Sequence, residues 1–272
     1  MNDNDNRSNG HFDNRDHSAP EPKRKIPALN IVLLTIVCAL LIFGGMRYFG
    51  DFFGFFGGVS HGNMPADGFS ASFSAVRSID VSMSNSAITV TTHSGNDIRV
   101  DFVPPTRGNY TRPNLDWNSN TGVLRVYEQG GMRFIGIGSF GGGRLAISIP
   151  ADSAHIINEA QFSTTNGSLD IGGMSVSGTL EARATNGRVS LSDLTGREII
   201  ARTTNGRVDG SRLDATRDLT LRTTNGAVSF VRGSVGGHLT VRSTNGAVTV
   251  TNVDFDRGNS DIRTTNGRTV ID

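Results

Sequence analysis

The stretch "LRTTNGAVSF", Leu221–Phe230, contains a Thr-Asn-Gly motif that recurs through the second half of the chain. Close variants are "ARATNGRVSL", "ARTTNGRVDG", "VRSTNGAVTV" and "IRTTNGRTVI". With an earlier "TTNG", the motif asparagines are Asn166, Asn186, Asn205, Asn225, Asn245 and Asn266, spaced 19–21 residues apart. This period is too long for a coiled coil and too short for a propeller blade. The chain therefore repeats one short structural unit.

Apolar and polar residues alternate on both sides of the motif. Leu219 and Leu221 precede it with a period of two, and Val228 and Phe230 follow it in the same way. The pattern predicts a strand, an Asn-Gly corner and a second strand in each unit. Asn-Gly is also the strongest hairpin signal, so a row of hairpins is the alternative.

Hairpins do not require the same residues at the same place in every unit, whereas a solenoid does. Each rung of a β-solenoid stacks on an equivalent rung about 4.8 Å away. We therefore predict an all-β, single-stranded β-solenoid (β-helix) with rungs of about 20 residues, preceded by one transmembrane helix. Its irregular first turns are expected at 69–150 and its regular repeats at 151–272.

The repeat also predicts structural roles for its asparagine and glycine. The asparagines share the parity of the apolar residues, so we expect their amides to point inward and to bond from rung to rung. The glycines are expected at a sharp corner where a Cβ atom would clash. They are Gly167, Gly187, Gly206, Gly226, Gly246 and Gly267.

The N-terminal part has the pattern of a single-pass membrane anchor. Residues 1–25 are polar and predict a disordered cytoplasmic tail. Ile26–Met46 is uncharged over 21 residues, enough helix to cross a hydrocarbon core. We place the transmembrane helix at 26–48 and an aromatic, Gly-rich linker at 49–68.

Lys23, Arg24 and Lys25 precede the apolar segment and only Arg47 follows it closely. The positive-inside rule then predicts a cytoplasmic N-terminus and an extracytoplasmic C-terminal domain in the cell membrane. A cleaved signal peptide is the alternative. The apolar run is long for one, and no small-residue cleavage site follows it, which favours an uncleaved anchor.

With these features in place, the chain resembles the bacterial "putative adhesin" family of β-strand-repeat domains. The likeness covers about Phe69–Asp272. It is carried by "RLAISIP", Arg144–Pro150, which leads into the "TTNG" units behind a single N-terminal anchor. The resemblance implies a membrane-tethered, extracytoplasmic β-solenoid and brings no catalytic residue set.

An outward row of arginines is the candidate binding site. Each arginine precedes its Thr-Asn-Gly motif by the same offset: Arg183, Arg202, Arg222, Arg242 and Arg263. Guanidinium groups bind carboxylate, sulfate and phosphate, so one interpretation is a site for an anionic envelope polymer or lipid headgroup. The other interpretation is a solvated stripe that keeps this face soluble. Glu181 and Asp261 lie two residues before the arginines of their own rungs and are expected to pair with them.

Other classes of function have little support in the sequence. One cysteine excludes a disulfide framework, the six histidines share no ligand spacing, and a net charge of +1 gives no pull toward nucleic acid. We therefore expect no metal, no cofactor and no enzyme, although a β-helix acting on polysaccharide is the catalytic alternative.

The predicted function is a membrane-anchored binding or scaffold module of the cell envelope. Its expected partners are the membrane and an envelope polymer or surface protein. The alternative is a solenoid that self-associates in envelope assembly or stress signalling, since the chain stops at Asp272 directly after the last repeat and an open rung can accept another strand.

Overall fold

The computed structural model describes residues 68–106, 110, 112–128, 142–151, 157–256 and 259–272. The predicted tail (1–25), the predicted membrane helix (26–48) and residues 49–67 of the linker lie outside these ranges. Within the ranges, no helix has the length and apolar character needed to cross a membrane.

The described residues form 17 β-strands that backbone hydrogen bonds join into one continuous sheet. Two strands, β11 and β12, run through one corner of the coil and are therefore 15 and 16 residues long. The strands are β1 (Phe69–Phe73), β2 (Ser78–Met83), β3 (Ala87–His93), β4 (Ile98–Val103), β5 (Asn114–Asn118), β6 (Val123–Tyr127), β7 (Arg144–Pro150), β8 (Glu159–Thr164), β9 (Leu169–Gly172), β10 (Thr179–Ala184), β11 (Val189–Thr203), β12 (Val208–Thr223), β13 (Val228–Val235), β14 (Leu239–Ser243), β15 (Val248–Phe255), β16 (Ser260–Thr264) and β17 (Thr269–Ile271).

Successive repeats pair in parallel between equivalent residues. Val189 of β11 lies beside Val208 of β12, and Arg202 lies beside Arg222. The same register continues from β12 to β14 and from β14 to β16. A hairpin pairs neighbouring segments antiparallel, whereas these partners are about one repeat apart and parallel. The β-solenoid is therefore confirmed, and the hairpin alternative is wrong for the repeats.

Two long walls meet at each Thr-Asn-Gly corner. The first wall ends at the corner and stacks in the order β6, β2, β8, β10, the second half of β11, the second half of β12, β14 and β16. The second wall begins after the corner and stacks in the order β7, β3, β9, the first half of β11, the first half of β12, β13, β15 and β17. At the β6–β7 end, β5 adds to the first wall and β4 with β1 to the second, all antiparallel.

The inward-facing side chains of the walls fill an apolar core in columns. Val189, Val208, Val228 and Val248 form one such column and are all buried. Phe230 lies on the same wall two residues farther along and is also fully buried. Burial of each such side chain stabilises the fold by about 1.5–3 kcal/mol. The outward positions between them remain available for polar side chains.

Among the described residues, the stack of corners begins earlier than the Thr-Asn-Gly repeats, at Ser84–Ser86. Asn85 accepts a hydrogen bond from the Asn166 side chain, from Nδ2 to Oδ1 at 2.7 Å. The Glu128 carboxylate bonds to this first corner on its other side, accepting from Ser84 N at 2.7 Å and from Ser86 Oγ at 2.9 Å. Glu128 therefore provides the contacts that a preceding corner provides in later rungs.

Candidate functional site

The motif asparagines form a hydrogen-bonded ladder on the outside of the corner. Each Nδ2 donates to the Oδ1 of the asparagine one rung earlier, at 2.7–2.8 Å, from Asn166 to Asn266. All six side chains are exposed. The predicted inward orientation of the amides is therefore wrong.

The reason lies in the bend of the backbone. Alternation of side chains between faces holds only while the chain is extended. At the third rung Thr203 still points inward and is buried, but the chain bends from Thr204 onward. Thr204 and Asn205 are consequently both exposed, although they are neighbours in sequence.

The inner threonine makes a second ladder, in which its hydroxyl group bonds to the backbone of the preceding rung. Thr203 Oγ1 donates to the carbonyl of Gly187 at 2.9 Å, and Thr223 Oγ1 donates to that of Gly206 at 2.7 Å. Ser243 makes the same bond to Gly226 at 2.7 Å. The signal was the hydroxyl residue two positions before each asparagine, which is absent only at Ala184 among the six motifs.

The corner glycines are required by close stacking. A Cβ atom on Gly226 would lie 2.1 Å from the carbonyl oxygen of Gly206, and one on Gly206 would lie 2.0 Å from that of Gly187. None of the six corner glycines, all of which the structure describes, has a positive φ. Contact with the preceding rung, and not a left-handed conformation, therefore demands glycine here.

The five arginines of the candidate site lie side by side on the outer face of the first wall. The register pairs Arg183 with Arg202, Arg202 with Arg222, Arg222 with Arg242, and Arg242 with Arg263. Neighbouring rungs are about 4.8 Å apart, so the guanidinium groups follow one line along the solenoid. We call these five residues the arginine row.

A groove of about 690 Å³ follows the arginine row beside the corner. Its other border is a column of exposed threonines, one per rung, each directly before the ladder asparagine. They are Thr165, Thr185, Thr204, Thr224, Thr244 and Thr265. The groove therefore combines guanidinium donors with hydroxyl groups that can donate or accept.

Carboxylates pair with the arginine row at its two ends. Arg183 Nε donates to Glu181 Oε1 at 2.5 Å in the same rung. Asp261 bridges two rungs, with Oδ1 at 3.2 Å from Arg263 Nε and Oδ2 against Arg242 Nη2. The pairing expected from the sequence is therefore present, and Asp261 also reaches Arg242.

The two central arginines have no such partner. Among the described residues, no carboxylate oxygen lies within ion-pair distance of Arg202 or Arg222, and both side chains are exposed. Repulsion between unit charges about 5 Å apart in water is about 0.8 kcal/mol before screening by salt. Burial lowers the pKa of Arg242, and the charges of Arg263 and Arg222 lower it further, despite the contact with Asp261. The two arginines of the row without a carboxylate partner among the described residues are therefore neighbours at its centre.

Another corner of the rung carries a separate polar column. Asp193, Arg212, Arg232 and Asn252 occupy equivalent positions and all have positive φ, between 52° and 61°. The Arg212 guanidinium hydrogen bonds to both carboxylate oxygens of Asp193, at 2.6 Å for the Nη2–Oδ2 contact. This column is on a different side of the rung from the arginine row.

Metal-binding geometry is not seen in the part of the chain that the structure describes. No three His, Cys, Asp or Glu side chains in that part converge as metal ligands. A smaller groove of about 260 Å³ is lined by Asp214, Ser234, Asp254 and neighbouring residues. Within it, Ser234 Oγ donates to Asp214 Oδ1 at 2.8 Å.

Three solved bacterial structures are similar to this chain. One is described as a putative adhesin from Bacteroides fragilis (15% identity, 77% of this chain and 99% of the other, TM-score 0.40). Another is a putative cell adhesion protein from Clostridium sporogenes (10% identity, 75% and 98%, TM-score 0.38). The third is a putative adhesin from Parabacteroides merdae (10% identity, 77% and 98%, TM-score 0.32).

None of the curated proteins compared with the chain matches it. A family of domains described as Toastrack DUF4097 matches residues 76–272. The match begins two residues before β2 and contains every rung of the solenoid, including the first corner and the arginine row. The chain therefore belongs to the Toastrack DUF4097 family.

Proposed function

We propose that the protein is a non-catalytic, adhesin-like binding module that holds an anionic polymer along the arginine row. The observation that carries this proposal is the in-register line of five arginines beside an open groove. Two carboxylates pair with the ends of that line and leave Arg202 and Arg222 free of carboxylate contacts among the described residues.

The geometry suits a linear ligand with repeated charges. Each guanidinium presents a planar fork of N–H donors that matches carboxylate, sulfate or phosphate oxygens. The groove continues past several rungs, so a polymer lying along it meets a cation at every step of about 4.8 Å. Hydroxyl groups of the exposed threonine column, such as Thr204 and Thr224, lie along the same groove. A bound anion would also relieve the repulsion between neighbouring guanidinium groups.

The proposal includes an extracytoplasmic location behind the membrane anchor predicted at 26–48. In that arrangement the solenoid lies among envelope polymers, where anionic chains are at high local concentration. Ser119→Cys, in the exposed turn before β6, tests the location. A membrane-impermeant maleimide should label it on intact cells and should leave the wild-type chain, whose one thiol is Cys38, unlabelled. Labelling of Ser119→Cys only after lysis would contradict an extracytoplasmic solenoid.

The polymer site is tested by charge neutralisation in the full-length chain. Arg202→Gln, Arg222→Gln and Arg242→Gln, combined in one variant, should lower the affinity for heparin and for isolated wall polymer by about tenfold or more. Elution from immobilised heparin in a salt gradient measures this, because contacts between exposed charges weaken as salt screens them.

A matched control changes the same net charge elsewhere. Arg144, Arg197 and Arg232 are exposed and lie outside the arginine row. Their combined replacement by Gln should leave most of the retention in place. If the two triple variants elute at the same salt concentration as each other, the arginine row is not the binding site.

A further inference from the structure

The arginine row is not equally available to a ligand along its length. Arg183 donates to Glu181 at 2.5 Å, and the Glu181 side chain is only 15% exposed. Asp261 contacts both Arg242 and Arg263 and is 22% exposed. A ligand at either end of the row therefore meets guanidinium groups that already have a carboxylate partner beside them.

The centre of the row differs in this respect. Arg202 and Arg222 are adjacent in register, and the residues two positions before them are Ile200 and Thr220. These positions correspond to Glu181 and Asp261 in the end rungs. The same column of the wall therefore carries carboxylates at the ends of the row and uncharged side chains in the middle.

We propose that Glu181 and Asp261 limit the binding tract, which is the part of the arginine row that a ligand can occupy. The tract then holds two adjacent anionic groups of a polymer, one at Arg202 and one at Arg222. This inference rests on the proposed function and specifies its ligand. The selected chemistry is a pair of oxyanions about 5 Å apart, which matches the separation of neighbouring rungs. Glu181 and Asp261 act as specificity-determining residues that repel the next anionic group at either end.

The tract length predicts an unequal effect of substitutions along one row. Arg202→Gln and Arg222→Gln each remove a guanidinium group that has no carboxylate partner among the described residues. Each should lower the affinity for the polymer about tenfold. Arg183→Gln or Arg263→Gln removes a guanidinium that a carboxylate already neutralises, and should change affinity less than about twofold. The chemical change is the same in all four variants, so each serves as a control for the others.

Removal of the carboxylates should have the opposite effect. Glu181→Gln retains the shape of the side chain and frees the charge of Arg183, and Asp261→Asn frees Arg242 and Arg263. In the double variant the tract would extend over five rungs. Affinity for long anionic chains should then rise about two- to fivefold for each carboxylate removed, whereas affinity for a ligand with only two charged groups should not rise.

Isothermal titration calorimetry of the full-length chain in detergent tests this. The probes are a short heparin fragment, long heparin, pyrophosphate and long linear polyphosphate, which separate sulfated glycan from phosphate polymer as the source of the oxyanions. The wild-type chain should bind short and long probes of one chemistry with similar affinity per chain. The Glu181→Gln and Asp261→Asn double variant should prefer the long probe.

The results distinguish the tract from the polymer site itself. Equal losses for all four arginine variants, or no gain for long probes in the double variant, would overturn the closed tract while leaving polymer binding in place. Absence of binding to every probe by the wild-type chain would overturn both. A thermal melt of each variant identifies any that are unfolded. Glu181→Gln alone then serves as the test if Asp261→Asn is unstable.

Discussion

At the scale of single residues, the inner threonine of the corner ties each rung to the one before it. The Thr223 hydroxyl is buried and donates to the Gly206 carbonyl at 2.7 Å. Thr223→Val keeps the shape and removes the donor, which leaves the partly buried Gly206 carbonyl without this bond. We expect the free energy of unfolding to fall by about 1–2 kcal/mol in a urea titration.

The adjacent Thr224→Val is the matched control. Thr224 is exposed on the other side of the bend, so its replacement should change stability by less than about 0.5 kcal/mol. Equal losses for the two variants would show that the hydrogen bond of the Thr223 hydroxyl does not contribute to the free energy of unfolding.

The two threonines also show where the sequence could predict side-chain direction and where it could not. Alternation correctly predicts that Leu219, Leu221 and Thr223 share the inner face, because β12 is extended over these residues. It fails two residues later at Asn225, because nothing in the letters T-T-N-G says at which residue the bend begins. The hydrogen bonding of the asparagines follows from their equal spacing, whereas their orientation depends on that bend.

At the scale of elements, the corner with positive φ places Asp193 and Arg212 one above the other. The hydrogen bond from Arg212 lowers the pKa of Asp193 below its usual value of 3.8, desolvation opposes this shift, and the charge of Arg212 adds to it. A carboxyl group whose folded pKa is lowered stabilises the fold above its unfolded pKa. That contribution is lost as pH falls through the folded pKa.

Asp193→Asn therefore gives a pH-dependent loss of stability. Asparagine tolerates the left-handed conformation, with φ of 53° at this residue, so the substitution removes the charge and one acceptor oxygen without straining the backbone. The difference in unfolding free energy from the wild-type chain should be largest near neutral pH and should vanish in strong acid. Denaturant titrations at several pH values measure it. In a chain that already carries Arg212→Gln, the same Asp193→Asn substitution should give no such pH-dependent difference. A difference that grows in acid would contradict the ion pair.

The same elements explain why the sequence predicts the arginine row but not every carboxylate contact at its ends. Equal offsets in the sequence fix which arginines lie side by side once the rungs stack in register. Glu181 and Asp261 were recognisable as partners within their own rungs. The contact of Asp261 with Arg242 crosses between β16 and β14, and depends on side-chain conformation that spacing does not specify.

At the scale of the whole solenoid, the first corner differs from the others because of what it stacks on. Ser86 stands where later rungs have glycine, and its hydroxyl reaches Glu128. A Cβ atom on Gly167, one rung later, would lie 1.9 Å from the Ser86 carbonyl oxygen. Among the described residues, the sequence is Ser-Asn-Ser at the first corner and Asn-Gly at each of the six corners that stack on another one.

Substitutions that exchange glycine and serine at positions 167 and 86 should have unequal effects on stability. Gly167→Ser inserts a side chain against a backbone carbonyl and should lower the free energy of unfolding by about 1–3 kcal/mol or more. Ser86→Gly loses one hydrogen bond to Glu128 and should cost about 1 kcal/mol. Thermal unfolding of both variants shows which substitution causes the larger loss of stability. A larger loss for Ser86→Gly would show that stacking contact is not what selects glycine.

The uniform direction of the asparagine bonds has a consequence for how the molecule can change in length. Every amide donates toward the first corner, so any two motifs are interchangeable as neighbours. A deletion of residues 206–225 would join Asn205 to Gly226 and restore an intact motif, with each surviving strand still facing the same way. Loss of an odd number of residues within a strand would instead turn its apolar face to water. Insertions and deletions of entire repeats are therefore the changes this architecture tolerates, and a cooperative melt of the shortened chain would demonstrate it.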